Sequence, residues 1–272
     1  MNKFFTSPSE MFASLIRNRE LVLALTKREI LGRYRGSVLG LLWSFVHPIV
    51  MLLIYTFVFS VVFKARWNAG SDSKTEFALV LFAGLIVFNL FSECITRAPS
   101  IILSHANYVK KVVFPLEVLP WVTVGTALFQ ALMSLSVWLL FYVIFFGLPH
   151  ATALLLPLVV LPILFITMGL SWMLASLGVY LRDVGQIVGI GTTVLMFLSP
   201  IFYPISSLPA NYQHLLLLNP LTPAIEGVRD ILFWGNLPSI GLYAVYLAIS
   251  IIFSWLGFVC FQKSRKGFAD VL

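Results

Sequence analysis

The fold is decided by residues 32–63, GRYRGSVLGLLWSFVHPIVMLLIYTFVFSVVF. From residue 37 to residue 63 the chain carries 27 residues without a formal charge. A helix of roughly 20 residues crosses the hydrocarbon core of a bilayer, so this run is long enough to span it. Arg33, Tyr34 and Arg35 stand just before the run, and cations and aromatic rings are typical of the headgroup layer. We therefore expect a first membrane span over residues 37–63.

Three glycines at the start of this stretch, Gly32, Gly36 and Gly40, recur every four residues. This spacing leaves one face of a helix without side chains, so that a neighbouring backbone can approach closely. We expect another helix to pack on this face.

The composition of the whole chain indicates an integral membrane protein. Of its 272 residues, 60% are hydrophobic and only 11% are charged, whereas about a quarter of a soluble domain is charged. The uncharged runs have helical lengths, which favours a helical bundle over a barrel of alternating strands. We therefore predict an all-α integral membrane protein. The net charge of +7 sorts by membrane side rather than along one face, so we expect no nucleic-acid partner.

Further uncharged runs extend the pattern to six predicted transmembrane helices, which together form a membrane domain over residues 37–261. A turn, Gly147-Leu148-Pro149-His150, separates the third span from the fourth. The second run has only 16 residues, which is short for a bilayer. The six predicted spans cover about residues 37–63, 77–92, 118–147, 151–181, 184–199 and 237–261.

The N-terminal segment, residues 1–36, contains the capping box Ser7-Pro8-Ser9-Glu10 and predicts an amphipathic helix with a possible break at Asn18. Such a helix lies in the membrane interface, although a solvated cytoplasmic helix is the alternative. If both termini are cytoplasmic, the inner segments hold 14 Lys and Arg and the outer segments hold 4. The positive-inside rule therefore places both termini, including the tail 262–272, in the cytoplasm.

Two segments between the spans carry a functional pattern. Residues 200–236 contain several prolines between short apolar pieces, which indicates re-entrant half-helices or, alternatively, an external loop. The inner loop 93–117 contains a segment that starts at Ala98-Pro99, carries apolar, aromatic and basic residues, and ends at Pro115. Such a short helix can dock into a groove of a cytoplasmic partner, although an interfacial turn is the alternative.

Three motifs resemble one transporter family. They are Tyr34-Arg35-Gly36-Ser37-Val38-Leu39-Gly40 with Leu42-Trp43 and Pro48, Asn107-Tyr108-Val109-Lys110-Lys111-Val112-Val113-Phe114-Pro115, and Asn219-Pro220-Leu221 with Arg229. In order and spacing they resemble the membrane permeases of type-2 ATP-binding-cassette exporters. The resemblance is to the branch that exports lipid-linked polysaccharides such as O antigens, capsules and teichoic acids.

The resemblance implies an interface helix over residues 9–31, a coupling helix within residues 100–111 and a re-entrant pair within residues 200–234. It also implies a homodimer of this chain with two copies of an ATPase subunit, in the inner membrane of a bacterium. The predicted ATPase-coupling residues are Ser104, His105, Asn107, Tyr108, Lys110 and Lys111.

No phosphate-binding motif G-x-x-x-x-G-K-[ST] occurs in the chain, and Gly-Lys never occurs as a dipeptide. We therefore predict that the chain is not an enzyme, that it has no cofactor and that a separate subunit binds ATP. His105, His150 and His214 lack the spacing of zinc ligands, so we predict no metal site. His47 precedes Pro48 inside the first span, and we interpret this pair first as a helix kink.

Candidate substrate contacts follow from the chemistry of a lipid-linked glycan. Cations at the inner interface suit a lipid pyrophosphate, which selects Arg33 and Arg35 around Tyr34, with ordinary anionic membrane lipid as the rival ligand. Aromatic faces suit sugar C–H groups, although packing or a lipid-facing position is the alternative for each ring. The predicted conduit aromatics are Trp43, Phe45, Tyr55, Phe59, Phe197, Phe202 and Tyr203.

Two other functions fit parts of the sequence. A drug or lipid efflux permease would share the architecture. A membrane transferase acting on lipid-linked sugars would need a catalytic base or a carboxylate pair in a cleft, for which Glu93, Glu117, Glu226 and Asp230 are the candidates.

Overall fold

The computed structural model describes residues 6–62, 67, 74–110 and 114–272. Every regular element within these ranges is helical, which confirms the all-α prediction. The α-helices are α1 (Pro8–Arg17), α2 (Arg19–Arg33), α3 (Trp43–Tyr55), α4 (Lys74–Ile101), α5 (Ala106–Lys110), α6 (Leu119–Phe146), α7 (Leu156–Tyr180), α8 (Val184–Leu198), α9 (Ala210–Leu217), α10 (Leu221–Arg229), α11 (Ile240–Ser264) and α12 (Phe268–Val271).

Five helical segments in the described part of the chain are long and apolar enough to cross a membrane. The predicted fifth span, residues 184–199, corresponds to the shorter apolar helix α8, which has 15 residues. At 1.5 Å per residue such a helix is about 22 Å long, less than the roughly 30 Å of a hydrocarbon core. The five segments are Gly40–Phe59, Thr75–Ile101, Leu116–Phe146, Ala151–Tyr180 and Ile240–Val271.

The N-terminal helix begins and ends where the sequence predicts. The Ser7 hydroxyl accepts a hydrogen bond of 3.2 Å from the Glu10 amide, and Pro8 occupies the first turn. Asn18 separates α1 from α2, and its side-chain amide donates to the Ser14 carbonyl oxygen at 2.8 Å. Met11 on α1 is buried. The helix is therefore packed against the rest of the protein along one side.

The glycines of the opening stretch form a turn instead of a packed helix face. Gly36 and Gly40 adopt positive φ angles of 83° and 51° between α2 and α3. No described residue lies within 4 Å of a Cβ built on either of them or on Gly32. None of the described residues of this chain makes the close helix contact that we expected at this place. The chain uses Gly36 and Gly40 to reverse direction, with φ angles that side chains with a Cβ disfavour.

Close helix contacts through glycine do occur elsewhere. A Cβ built on Gly257 of α11 would overlap the backbone of Gly169 on α7, and one built on Gly178 would overlap the Pro99 carbonyl on α4. Small residues allow such backbone approach between apolar helices. The contacts join α4, α7 and α11 into one packed layer.

The second span is longer than the uncharged run predicts. We expected it over residues 77–92, followed by a loop in which Pro99 starts a new helix, whereas α4 continues through Pro99 to Ile101. Glu93 and Arg97 lie within this extension and make ion pairs there. The uncharged run marks where polar residues begin, and the helix continues because those residues have partners.

The proline-containing segment 200–236 forms two short helices, α9 and α10, with a π-helical turn at Asp230–Trp234. These helices have 8 and 9 residues, so neither can cross a bilayer alone. Leu221 and Ile225 of α10 are fully buried in the main hydrophobic core, and so is Ile231 of the π-helical turn that follows. The segment therefore packs into the bundle instead of extending from it.

The C-terminal residues fold back on the helices. The last span was predicted to end at residue 261, but α11 continues to Ser264 and α12 follows after a 3-10 turn. Arg265 donates to the Glu117 carboxylate at 2.5 Å and to the Phe114 carbonyl oxygen at 2.7 Å. Phe268 is fully buried. These contacts attach the tail to the start of α6.

Candidate functional site

A cleft of about 960 Å³ opens between α3, α4 and α6, and its wall continues to the end of α2. One end carries the charged side chains Arg33 and Glu93, and the other carries Tyr55 and Phe82. We call it the α3–α4–α6 cleft. Its lining residues are Arg33, Tyr34, Trp43, Val46, His47, Pro48, Val50, Met51, Tyr55, Phe82, Asn89, Ser92, Glu93, Gln130 and Ser134.

Charge at the polar end of the cleft is balanced by a chain of ion pairs. Arg33 of α2 makes an ion pair with Glu93 of α4, and the same carboxylate lies 3.5 Å from Arg97 one turn further along α4. Arg97 also makes an ion pair with Glu29 of α2. We call these four residues the ion-pair chain. It joins α2 to α4 twice and leaves no net charge among the four side chains.

Two uncharged polar groups complete this end of the cleft. The Gln130 amide of α6 donates a hydrogen bond of 3.0 Å to the Tyr34 hydroxyl. The Gln130 Oε1 atom is buried, and none of the described residues donates a hydrogen bond to it. A buried acceptor without a partner costs free energy, and this oxygen carries that cost in the wall of the cleft.

The structure brings together two of the three predicted headgroup residues. Arg33 and Tyr34 line the cleft, whereas Arg35 is exposed and lies outside its lining. His47, which we interpreted as part of a kink, also lines the cleft beside Pro48, which lies within α3.

The predicted conduit aromatics fall into two groups that touch each other. Trp43 and Tyr55 line the cleft. Phe59 stacks on Phe202 with ring centroids 5.3 Å apart, and Phe202 lies 5.9 Å from Phe197. The Tyr55 and Phe59 rings, 6.4 Å apart, continue this second group into the cleft as one aromatic row, and Trp43 stands apart from the row at the start of α3.

Two further conduit candidates lie at the margin of this row. The Tyr203 hydroxyl donates a hydrogen bond of 3.0 Å to the Phe197 carbonyl oxygen, which holds the row's outer end. Phe45 is exposed and does not line the cleft.

The predicted coupling residues lie on a 3-10 turn (Leu103–His105) and on α5, directly after α4. Ser104 and Asn107 are exposed, as a docking surface requires. His105 and Tyr108 stack with centroids 5.3 Å apart, and Tyr108 stacks on Phe114 at 4.5 Å. The aromatic stack therefore attaches one side of the segment to the bundle. Lys110 ends α5, its side chain lies outside the described part, and Lys111 lies outside the described residues.

A smaller cleft of about 280 Å³ connects this segment with the ion-pair chain. Its lining includes Arg28 and Glu29 of α2, Arg97 of α4 and His105 of the predicted coupling segment. The Arg28 guanidinium donates a hydrogen bond of 3.3 Å to the Tyr108 hydroxyl. A movement of α2 would therefore act directly on the predicted coupling segment.

The count of four outer cations included Arg229, which the structure shows to be a buried residue. It is fully buried and donates hydrogen bonds to the carbonyl oxygens of Val80, Pro200 and Ile201 at 2.9, 2.5 and 2.9 Å. It also pairs with Glu226 at 2.8 Å, and its guanidinium lies 4.3 Å from the Trp67 ring centre. A cation inside an apolar, proline-broken segment was the signal that could have identified this role.

The four carboxylates of the transferase alternative do not all meet: Glu226 and Asp230 lie one helical turn apart, whereas Glu93 and Glu117 lie elsewhere. Glu93 belongs to the ion-pair chain, Glu117 pairs with Arg265, and Glu226 pairs with Arg229. Glu117 also accepts a hydrogen bond of 3.2 Å from the Ser14 hydroxyl of α1. An arginine holds each of these three carboxylates in a different part of the protein, which is a structural arrangement.

Comparison with known proteins places the chain among transporters. Residues 20–233 match the family ABC-2 type transporter. RfbA of Myxococcus xanthus, an O-antigen export system permease protein, is 31% identical over 94% of this chain and 96% of its own length. KpsM of Escherichia coli, a polysialic acid transport protein, is 28% identical over 90% of this chain and 93% of its own length. CtrC of Neisseria meningitidis serogroup A, a capsule polysaccharide export inner-membrane protein, is 22% identical over 93% of this chain and 94% of its own length. Because the family match covers most of the chain, the chain belongs to the ABC-2 type transporter family.

Proposed function

We propose that this chain is the membrane permease subunit of an ATP-binding-cassette exporter that moves a lipid-linked polysaccharide across the bacterial inner membrane. The observation that carries the proposal is the likeness, over nearly the whole chain, to permeases named for O-antigen and capsule export. The α3–α4–α6 cleft agrees with it, since the cleft combines aromatic faces with a cation at one end.

The working transporter contains two copies of this chain and two copies of a separate ATPase subunit, which binds the ATP. In this assembly both termini are cytoplasmic, and α8 contributes the sixth crossing together with the residues that flank it. The segment 200–236 is re-entrant; its two short helices and its burial in the main core support this arrangement. Burial of Arg229 also removes one of the four outer cations, which strengthens the asymmetry of charge.

Transport follows from a two-state permease that the ATPase biases. The ATPase docks on the exposed side of the coupling segment, where Ser104 and Asn107 lie. ATP-driven closure of the ATPase pair then shifts the helices through this segment, since a partner that binds one state better moves the equilibrium toward it. The contact between Arg28 and Tyr108 passes the movement to α2.

The substrate contacts divide between the two ends of the path. Arg33 and Tyr34 hold the lipid-pyrophosphate end, and Arg35, which is exposed at the same inner interface, is a further cation that attracts it. Trp43 and, further along the path, the aromatic row from Tyr55 to Phe197 offer flat faces to successive sugar rings.

The proposal is tested by deleting the gene for this chain in its host and measuring two pools of glycan. We expect surface glycan to disappear while lipid-linked glycan accumulates inside the cell, and wild-type chain to restore the surface pool. The Arg33→Ala chain should restore it poorly, and the Arg17→Ala chain, which changes an exposed arginine of α1, should restore it fully.

Other outcomes would replace the proposal. Loss of glycan both outside and inside would indicate a role in synthesis and return the transferase alternative. Unchanged surface glycan would exclude polysaccharide export and leave a drug or another lipid as the substrate.

A further inference from the structure

Arg33 is the only lysine or arginine in the lining of the α3–α4–α6 cleft, among the described residues, and its charge is already neutralised. Its guanidinium is paired with Glu93, which also lines the cleft. The two side chains are 35% and 21% exposed, so a ligand in the cleft can reach both. The contact uses one guanidinium nitrogen of Arg33, so an anion that binds the other donors of this arginine competes with the Glu93 carboxylate for its charge.

Displacement of Glu93 is feasible because a second arginine already touches it. Arg97 lies 3.5 Å from the same carboxylate oxygen, Oε1, that Arg33 contacts. When an incoming phosphate takes Arg33, Glu93 keeps Arg97 as its partner and is not left as an unpaired charge. This matters because an unpaired, partly desolvated carboxylate is costly.

The rest of the cleft indicates which anion fits. Trp43 lines the same cleft as Arg33 and supplies an aromatic face for a sugar ring. A phosphate without a sugar uses the cation alone. A phosphate joined to a sugar occupies both the cation and the aromatic face.

We infer that a sugar-phosphate headgroup in the cleft takes Arg33 from Glu93, and that this exchange releases one of the two ties between α2 and α4. Glu93 is then a specificity-determining residue, because a headgroup must compete with its carboxylate before it binds. The ion pair between Glu29 and Arg97 and the hydrogen bond between Gln130 and Tyr34 remain, so α2 stays near α4 and α6 while its last turn loses one contact. That the headgroup belongs to a lipid-linked glycan rests on the proposed function.

Because α2 also contacts the coupling segment through Arg28 and Tyr108, the exchange gives the ATPase side of the protein a signal that the cleft is occupied. Arg97 and Glu29 line the smaller cleft next to that segment, so the signal passes through packed neighbours. Substrate loading and coupling thereby depend on the same four charges.

The test uses the full-length chain in phosphatidylcholine nanodiscs and three probes: a polyprenyl pyrophosphate that carries a sugar, the same lipid without the sugar, and phosphatidic acid. Wild-type chain should prefer them in that order. Glu93→Gln removes the competing charge at nearly constant shape, and it should tighten phosphatidic acid binding about tenfold and reduce the preference for the pyrophosphates. Arg33→Gln should weaken the binding of all three probes about tenfold or more, and the affinities of Arg33→Lys should lie between those of wild type and Arg33→Gln.

A second measurement reports the loss of the ion pair between Arg33 and Glu93. The sugar-bearing probe should speed hydrogen exchange of the α2 amides in wild-type chain, and Glu93→Gln should show the fast exchange without any probe. Arg17→Gln is the matched control, because it breaks an exposed pair with Glu10 on α1, and both its affinities and its α2 exchange should equal wild type.

Equal affinities in wild-type and Glu93→Gln chain, or slower α2 exchange with the probe, would overturn the inference. Phosphatidic acid binding as tightly as the sugar-bearing probe in wild-type chain would also overturn it and identify ordinary membrane lipid as the ligand. These failures are distinct from failure of the proposed function, which is decided by glycan export in the deletion strain.

Discussion

Replacing Arg229 by alanine tests whether this buried cation fixes the 200–236 segment to the bundle. The side chain has no exposed surface and donates to three backbone carbonyl oxygens and to Glu226. Its loss leaves the Val80, Pro200 and Ile201 carbonyls without that donor in a buried position.

The magnitude follows from these contacts. Removing one partner of a buried ion pair costs about 3–5 kcal/mol, and each hydrogen bond to a charged group contributes about 1.5–3 kcal/mol. We take 3–5 kcal/mol as the expected loss, since relaxation of the segment recovers part of the hydrogen bonding. For a protein of this size the loss corresponds to a fall in Tm of roughly 10 °C.

The assay is thermal unfolding of purified chain in one detergent, with tryptophan fluorescence as the signal. Arg229→Lys keeps the charge but not the planar fork, so its Tm should lie between those of wild type and Arg229→Ala. Arg17→Ala, at an arginine whose side chain is 59% exposed, should lower Tm by no more than about 2 °C. A change of 1 kcal/mol shifts Tm by about 2–4 °C in a protein of this size. If the Tm of Arg229→Ala lies within about 2 °C of the wild-type value, the structural role of Arg229 is refuted.

Three further substitutions test other contacts. Gly257→Leu should destabilise the chain by more than the about 1–3 kcal/mol typical of overpacking, because its side chain would meet the Gly169 backbone; a wild-type Tm would contradict the α7–α11 contact. Arg265→Ala leaves the buried Glu117 carboxylate without its arginine, so stability should fall by about 3–5 kcal/mol and Glu117→Gln should restore part of it in the double variant. Tyr108→Ala removes an aromatic stack worth about 0.5–1.5 kcal/mol. Export in the deletion strain should fall while Tm changes little, and normal export would show that the stack does not transmit coupling.

Several features of the fold follow from local sequence because their causes are local. The Ser7 cap and the break at Asn18 depend on side chains that bond to backbone groups within four residues. The spanning helices depend on the transfer free energy of each apolar run, which composition alone specifies. Helix ends are different, since α4 passes Glu93 and Arg97 to end at Ile101 only because α2 supplies partners for those charges.

The candidate site shows the same division. The sequence alone predicted Arg33, Tyr34, Trp43 and Tyr55, which the structure places in the cleft, because cations and rings beside a span have a limited set of roles. Glu93 lies 60 residues from Arg33, and Gln130 lies 96 residues from Tyr34, so neither contact has a local signature. Whether a segment can enter a membrane is a property of its own residues. Which charges meet inside the protein is decided by tertiary packing, because an ion pair forms only where folding brings two side chains within a few ångströms.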